Sequence, residues 1–341
     1  MNRAIPAPLS SGQNSGQDFL EVSKRAGWRD YLKMARLDHM TKHVFILPGV
    51  VFAYVLRNPS LEDAWWSIIV GFISAVLIAS CNYILNEWLD REFDAFHPDK
   101  SSRPAVNMIM SPVPVYFSYA FCTLLGLALA YLVGPIFFLV TVLFWISGII
   151  YNVRPFRYKD KPYVDVLCES LNNPIRMMLG WSMIDHVSVA PVSLLLAYWM
   201  GGAFLMGAKR LSEYREIAAG PGVAVLHRYR KSFQHYTEER LTISCFVYAL
   251  FSTFLIGVFL VKYRIEYVLA IPFIIMLFAH YLSLSMRSGS VAQKPEKLFR
   301  EKRLMTISAL AVIALTALSF INIPILQNLS VPHFVTLPGT S

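Results

Sequence analysis

The chain has 341 residues, of which 55% are apolar, 14% aromatic and only 16% charged. Soluble globular domains carry about a quarter charged residues, so this composition excludes an ordinary soluble enzyme and a disordered chain. The formal net charge of +9 indicates basic loops beside a membrane rather than binding of nucleic acid.

Nine apolar stretches are candidates for transmembrane helices, because about 20 apolar residues cross the hydrocarbon core of a bilayer. They are residues 40–57, 64–85, 112–132, 135–152, 163–184, 189–207, 241–261, 267–286 and 304–325. The predicted fold is therefore an all-α polytopic membrane protein. We expect a cytoplasmic N-terminal tail at 1–38, a transmembrane catalytic domain at 39–326 and a short extracytoplasmic tail at 327–341.

The loop charges provide an independent indication of topology. Of the 31 Lys and Arg residues, 27 lie in the N-terminal segment and in every second loop after it. Basic residues are retained on the cytoplasmic side of a membrane. This distribution predicts a cytoplasmic N-terminus, nine spans and an extracytoplasmic C-terminus.

Four polar residues recur at every fourth position after the second stretch: Asn82, Asn86, Asp90 and Asp94. In a helix such positions drift by only about 40° per step, so they form one stripe. Oxygen ligands of this kind suit Mg²⁺, which binds a few carboxylates together with substrate phosphates. The spacing predicts Asn86, Asp90 and Asp94 as catalytic metal ligands, although a solvated helix end with salt bridges has the same pattern.

Two basic residues, Lys100 and Arg103, follow the acids, and such an order suits a metal–diphosphate ligand. The segment Asn86–Asp94, followed by Arg103–Pro104, resembles the NDxxDxxxD…RP signature of the UbiA superfamily of intramembrane prenyltransferases. One departure is Glu87, which stands where the family usually has Asp. The resemblance implies a helical bundle that binds Mg²⁺, a small diphosphate or acceptor substrate and an isoprenoid lipid.

The next basic loop, Tyr151–Asp165, is similar to the Y-S-x-P-P-x-R-x-K stretch of UbiA prenyltransferases. This similarity implies that Arg157 and Lys159 bind substrate. A positive-inside membrane anchor would also account for these two basic residues.

The fifth apolar stretch differs from an ordinary transmembrane span because it contains several polar and charged residues. On a helical wheel they all fall within an arc of about 100°, which predicts that they face the bundle interior and bind substrate. They are Asp165, Glu169, Asn172, Asn173 and Arg176. A self-compensating cluster that only stabilises the bundle is the alternative.

The loop after the sixth stretch departs furthest from the family pattern. Lys209 and Arg210 stand where UbiA prenyltransferases usually carry a second acidic motif, and Glu213 is one of two nearby carboxylates. This pattern resembles the phosphoribosyltransferase branch that acts on decaprenyl phosphate. The resemblance implies that these three residues contact substrate.

These resemblances together predict Mg²⁺-dependent transfer of a prenyl group from a prenyl diphosphate to a small aromatic or lipid-precursor acceptor. Phosphoribosyl transfer to a polyprenyl phosphate is one alternative. A membrane transporter is a second, since transporters also carry polar residues inside the bundle. The expected location is a bacterial inner membrane.

Overall fold

The computed structural model describes residues 24–57, 61–97, 100–287, 300–318 and 320–330, together with 4–6, 19–21, 289, 290, 292 and 298. Much of the predicted N-terminal tail and most of the predicted C-terminal tail therefore lie outside the described residues. The described part is almost entirely helical. The predicted all-α class is confirmed.

The α-helices are numbered in chain order. They are α1 Trp28–Met34, α2 Leu47–Arg57, α3 Leu61–Asp94, α4 Pro104–Asn107, α5 Pro112–Val133, α6 Pro135–Asn152, α7 Val164–Ser170, α8 Asn172–Ser182, α9 Val192–Ala219, α10 Val223–Tyr229, α11 Glu238–Tyr263, α12 Ile271–Ser285, α13 Lys302–Leu318 and α14 Pro324–Ser330. Short 3₁₀ segments are Leu37–Ile46, Lys100–Ser102, Tyr158–Asp160, Lys231–His235 and Ile265–Ala270. Two three-residue strands, β1 Ala4–Pro6 and β2 Phe19–Glu21, pair antiparallel.

Within the described ranges, six helices are long and apolar enough to cross a membrane. They are Ala64–Asp94, Pro112–Val133, Pro135–Asn152, Val192–Ala219, Glu238–Tyr263 and Ile265–Ser285. Each of the other three predicted spans coincides with shorter or interrupted helices. The chain is an integral, multi-pass membrane protein, while the count of nine and its orientation remain predictions.

The fifth predicted span is not one uninterrupted helix, which corrects the sequence interpretation. It is divided at Leu171 into α7 and α8. Pro174 lies in the first turn of α8, and proline has no amide hydrogen to bond Ser170 one turn earlier. The series of helical backbone hydrogen bonds is therefore interrupted after α7. It resumes at the carbonyl of Leu171, which accepts from the amide of Ile175.

The bundle is held together by close helix contacts on its interior side. Helix α3 packs on α5 and α6, α9 packs on α11, and α2 crosses α8. Two glycines permit the last crossing: a Cβ on Gly49 would lie 1.9 Å from the carbonyl oxygen of Met177, and one on Gly180 would lie 2.1 Å from that of Ile46. The backbones of α2 and α8 therefore touch, which fixes α8 at the centre of the bundle.

Replacing Gly180 by alanine should destabilise the protein, because a new Cβ would push two backbones apart. We expect a loss on the order of 1–3 kcal/mol, typical of overpacking in a core. Thermal unfolding in detergent measures it. Gly257→Ala is the matched control, since its Cβ would meet only Ile271, at 3.7 Å. Because alanine has a higher helix propensity than glycine, this substitution should leave the stability of the protein equal or raise it. Equal effects of both substitutions would contradict the proposed close crossing.

Candidate active site

A cavity of about 280 Å³ opens at the carboxyl-terminal ends of α3 and α6. Fourteen of the sixteen residues predicted as ligands line this one space. They are Asn82, Asn86, Asp90, Asp94, Lys100, Arg103, Arg157, Lys159, Glu169, Asn172, Asn173, Arg176, Lys209 and Arg210. Asp165 and Glu213 do not line the cavity but lie buried behind it.

The polar stripe of α3 forms one wall of the cavity. Asn86 Nδ2 donates to Asn152 Oδ1 at 2.6 Å, and Asn82 Nδ2 donates to the carbonyl of Phe144 at 3.2 Å. Both bonds join α3 to α6. Gly148 makes room for this contact, since a Cβ there would lie 2.0 Å from Asn82 Oδ1. The four stripe residues are therefore held in register along one helix face.

The two carboxylates of the stripe face basic side chains from two loops. Asp90 Oδ1 lies 3.0 Å from Arg157 Nη2 and 2.5 Å from Lys159 Nζ. Asp94 pairs with Arg103. Each acid predicted as a metal ligand is thus neutralised by a residue predicted to bind phosphate. Little water reaches these side chains, so each buried charge needs a neighbouring group of opposite charge to stabilise it.

Arg157 reaches Asp90 from a strained backbone. Its φ of +35° lies in the left-handed region, which non-glycine residues seldom adopt. Its guanidinium also bonds Asp160 Oδ2 at 3.0 Å and the carbonyl of Asn152 at 3.2 Å. Such strain is retained where surrounding contacts determine the conformation, and it clusters at functional sites. The fixed loop directs the Arg157 guanidinium into the cavity.

Burial makes two of the cavity's ammonium groups easier to deprotonate. It lowers the pKa of Lys159 to about 8 despite the nearby charge of Asp90. It lowers the pKa of Lys100 to about 7 despite the charges of Glu213 and Asp94. An incoming anion would favour the protonated forms and raise both pKa values. The cavity therefore gains positive charge when a phosphate group enters.

Arg210 is the centre of a second charged cluster, which sequence reasoning did not anticipate. Its side chain is buried, and Nη2 lies 2.7 Å from Glu169 Oε2, Nη1 3.0 Å from Glu213 Oε2, and Nε 3.5 Å from Asp165 Oδ2. Its guanidinium joins α7 to α9, and both Arg210 and the neighbouring Lys209 line the cavity. The contact of Arg210 with substrate therefore stays a prediction.

Arg230 is a cavity residue that the sequence analysis did not single out. Its Nη2 donates to Tyr151 Oη at 2.6 Å and lies 3.3 Å from Asp165 Oδ2. Ser232 and Tyr236 also donate to Asp165, at 3.1 and 2.5 Å. The segment after α10 is thereby fastened over the cavity. A basic run in a loop carries no signal of such pairing, because its partners are remote in sequence.

Glu87 does not face the cavity, as its position on the helical wheel predicts. The carboxylate is buried, 3.0 Å from Arg36 Nη2, and it accepts from the amide of Ala105 at 3.4 Å. It links α3 to the N-terminal segment and to α4. The replacement of the family's Asp by Glu therefore leaves the polar stripe unchanged.

The donor set fits a hard divalent cation only in part. Among the described residues, no group of three or more His, Cys, Asp or Glu side chains is placed to hold a metal. Asn86, Asp90 and Asp94 supply two carboxylates and one carboxamide on successive turns. That set is typical of Mg²⁺, which binds through one or two carboxylates plus substrate phosphates. The site suits a metal that enters with a phosphorylated substrate.

Comparison with known proteins agrees with this geometry. Residues 46–310 match the model of the UbiA prenyltransferase family. The chain is 29% identical over 259 residues to a decaprenyl-phosphate phosphoribosyltransferase of Mycobacterium tuberculosis, covering 72% of this chain and 78% of that protein. It is 26% identical over 240 residues to a protoheme IX farnesyltransferase of Alkalihalophilus pseudofirmus, covering 66% and 74%.

The fold has a solved counterpart. A UbiA homologue from Archaeoglobus fulgidus, bound to GPP and Mg²⁺, superposes with a TM-score of 0.63 at 22% identity, covering 85% of this chain and 99% of that one. The family match spans most of the chain, and the transporter alternative is set aside. The protein belongs to the UbiA prenyltransferase family and is a transferase of the prenyltransferase type.

Proposed function

We propose that this enzyme uses Mg²⁺ to transfer a prenyl group from a prenyl diphosphate to a small nucleophilic acceptor. One observation supports the proposal above all: the carboxylates of the α3 stripe and basic side chains from the loops face each other across one cavity. A diphosphate bound with a divalent cation requires ligands of both signs in one place. The likeness to a UbiA homologue bound to GPP and Mg²⁺ supports this donor class.

Asn86, Asp90 and Asp94 are the residues that would hold Mg²⁺. The metal would neutralise charge on the diphosphate as it departs. The two carboxylates lie about 6 Å apart along the axis of α3, one turn of helix. They can therefore approach one diphosphate from the same side without distortion of the helix.

Four basic residues of the cavity would stabilise the leaving group: Arg157 and Lys159 beside Asp90, Arg103 beside Asp94, and Lys100, whose Nζ lies 3.9 Å from Glu213 Oε1. When the donor binds, their cations exchange carboxylate partners for phosphate oxygens. The carbon–oxygen bond of the donor then breaks, and its electron pair leaves with the diphosphate. Preorganised cations at the departing charge are a major source of rate enhancement.

The remaining wall of the cavity suits the carbon skeleton of an isoprenoid. Phe93, Phe144, Leu205 and Met206 line it together with the polar groups. Phe93 and Phe144 each carry a guanidinium over one face, that of Arg157 and Arg176 respectively, so these rings offer apolar contact surface to the isoprenoid chain. An apolar lining also limits the water that would capture the prenyl carbocation before the acceptor does.

Phosphoribosyl transfer from phosphoribosyl diphosphate to a polyprenyl phosphate is the second candidate. It would use the same leaving-group machinery. The similarity to a decaprenyl-phosphate phosphoribosyltransferase and the Arg210–Glu213 pair in place of a second acidic motif favour it. The two candidates share the diphosphate site and differ in the group that is transferred.

The same proposal includes the membrane arrangement. The cavity mouth would face the cytoplasm, where the basic loops lie, and the N-terminus would lie on the same side. A bacterial inner membrane is the proposed location. Isoprenoid lipid would enter from the bilayer, while the small substrate would enter from water.

Asp90→Asn should abolish turnover, because it removes a charged metal ligand and leaves Arg157 and Lys159 with a weaker partner. We expect a loss of at least 100-fold in Mg²⁺-dependent pyrophosphate release from a prenyl diphosphate. Glu92→Gln is the matched control, since that carboxylate is exposed on the same helix and should keep activity within about twofold. Wild-type activity that survives EDTA would contradict the role of the metal.

Donor identity can be tested by competition. If the donor is a prenyl diphosphate, its chain buries apolar surface worth about 0.8 kcal/mol per CH₂ group. Labelled farnesyl diphosphate should then bind with Mg²⁺ at least tenfold more tightly than phosphoribosyl diphosphate. Inorganic pyrophosphate serves as the common reference for the shared site. Tighter binding of phosphoribosyl diphosphate would establish the second candidate instead.

A further inference from the structure

Arg176 is a charged residue that the diphosphate site leaves unexplained. It lies on α8, its side chain lines the cavity, and it is only 7% exposed. Within the described part of the chain it forms no ion pair or hydrogen bond, and Nε is buried without a partner. The guanidinium lies over the face of Phe144, whose ring centre is 5.0 Å from Cζ. A buried unpaired cation is costly and is retained where a ligand compensates it.

Two carboxamides line the same cavity as this guanidinium. Asn173 lies on the same helix, is 8% exposed, and has no hydrogen bond from its side chain within the described residues. Its amide sits against Gly202, where a Cβ would lie 2.1 Å from Nδ2. Asn82 donates to the backbone carbonyl of Phe144, the residue whose ring lies against the guanidinium. Arg176 and these two carboxamides therefore provide hydrogen-bond donors around one charged centre.

This group lies well below the diphosphate site. Asn82 precedes Asp90 by eight residues of one continuous helix, which corresponds to about 12 Å along the axis. Phe144 and Asn152 are separated by the same number of residues on α6, and Asn152 lies beside Lys159. A diphosphate held at Asp90 and Asp94 would therefore lie at least two helical turns from Asn82. The deep group is then available to a different anion.

We propose that Arg176, Asn173 and Asn82 form a second anion subsite that binds a phosphate monoester. The inference rests on the proposed function in that it assigns the first anion to the diphosphate at Asp90 and Asp94. The guanidinium supplies paired donors that match phosphate oxygens, and the carboxamides complete the donor set. A prenyl diphosphate has no monoester, so in prenyl transfer the group would belong to a phosphorylated acceptor. In phosphoribosyl transfer it would belong to the sugar of the donor or to the acceptor lipid.

The test compares Arg176→Gln and Arg176→Lys with Arg91→Gln. Arg91 is a suitable control because its guanidinium also stacks on an aromatic ring, that of Trp88 at 4.2 Å, outside the cavity. Three probes are titrated into purified protein: pyrophosphate with Mg²⁺, ribose 5-phosphate, and farnesyl monophosphate. The ribose and lipid probes distinguish a donor phosphate from an acceptor phosphate.

Arg176→Gln should weaken binding of one monoester at least tenfold and leave pyrophosphate binding within twofold. Arg176→Lys should retain part of the affinity, and Arg91→Gln should change neither. The melting temperature of Arg176→Gln should stay equal or rise, since an uncompensated buried charge is removed.

Unchanged monoester binding in Arg176→Gln, or no monoester binding by the wild type, would overturn the inference. So would a parallel loss of pyrophosphate affinity with a lower melting temperature, which indicates a structural role for Arg176. Failure of the wild type to bind pyrophosphate with Mg²⁺ would instead count against the proposed function. A monoester effect of Arg176 would still stand in that case.

Discussion

The structure depends on the pairing of acids on α3 with bases from two loops. Asp90 holds Arg157 and Lys159, and Asp94 holds Arg103. Charges inside a membrane protein are costly unless they are paired or bind a ligand. These pairs allow a strongly charged cavity to exist in an apolar bundle. They also place carboxylates for a metal and cations for a diphosphate in the same cavity.

A second layer of charge supports the first. Arg210 connects three carboxylates from α7 and α9, and Arg230 fastens the segment after α10 to Tyr151 and Asp165. Removing one member of such a buried network leaves its partners uncompensated, which commonly costs about 3–5 kcal/mol. This network, in which Arg210 and Arg230 line the cavity while Asp165 and Glu213 lie behind it, therefore fixes the shape of the cavity.

Much of this arrangement could be predicted from sequence because it is local. The spacing of Asn82, Asn86, Asp90 and Asp94 specifies one helix face, and the structure places all four along the cavity. Pro174 is a local signal for the division of the fifth span that our sequence analysis did not use, since proline has no amide hydrogen for a backbone hydrogen bond.

The pairing of charges could not be predicted in the same way. Arg210 meets Glu169 across 41 positions of sequence, and nothing in the local pattern indicates this pairing. Arg230 and the unpaired state of Arg176 likewise depend on how the helices pack. Periodicity specifies which face a residue occupies, whereas its partner is set by tertiary structure.

The central claim is that acids and bases exchange partners when a metal and a diphosphate bind together. Calorimetric titration of Mg²⁺ and inorganic pyrophosphate, each alone and each in the presence of the other, tests it most directly. Binding is reciprocal, so each ligand must change the affinity of the other by the same factor. We expect each ligand to tighten binding of the other at least tenfold, and Asp90→Asn to remove this coupling. Independent binding of the two ligands would contradict it.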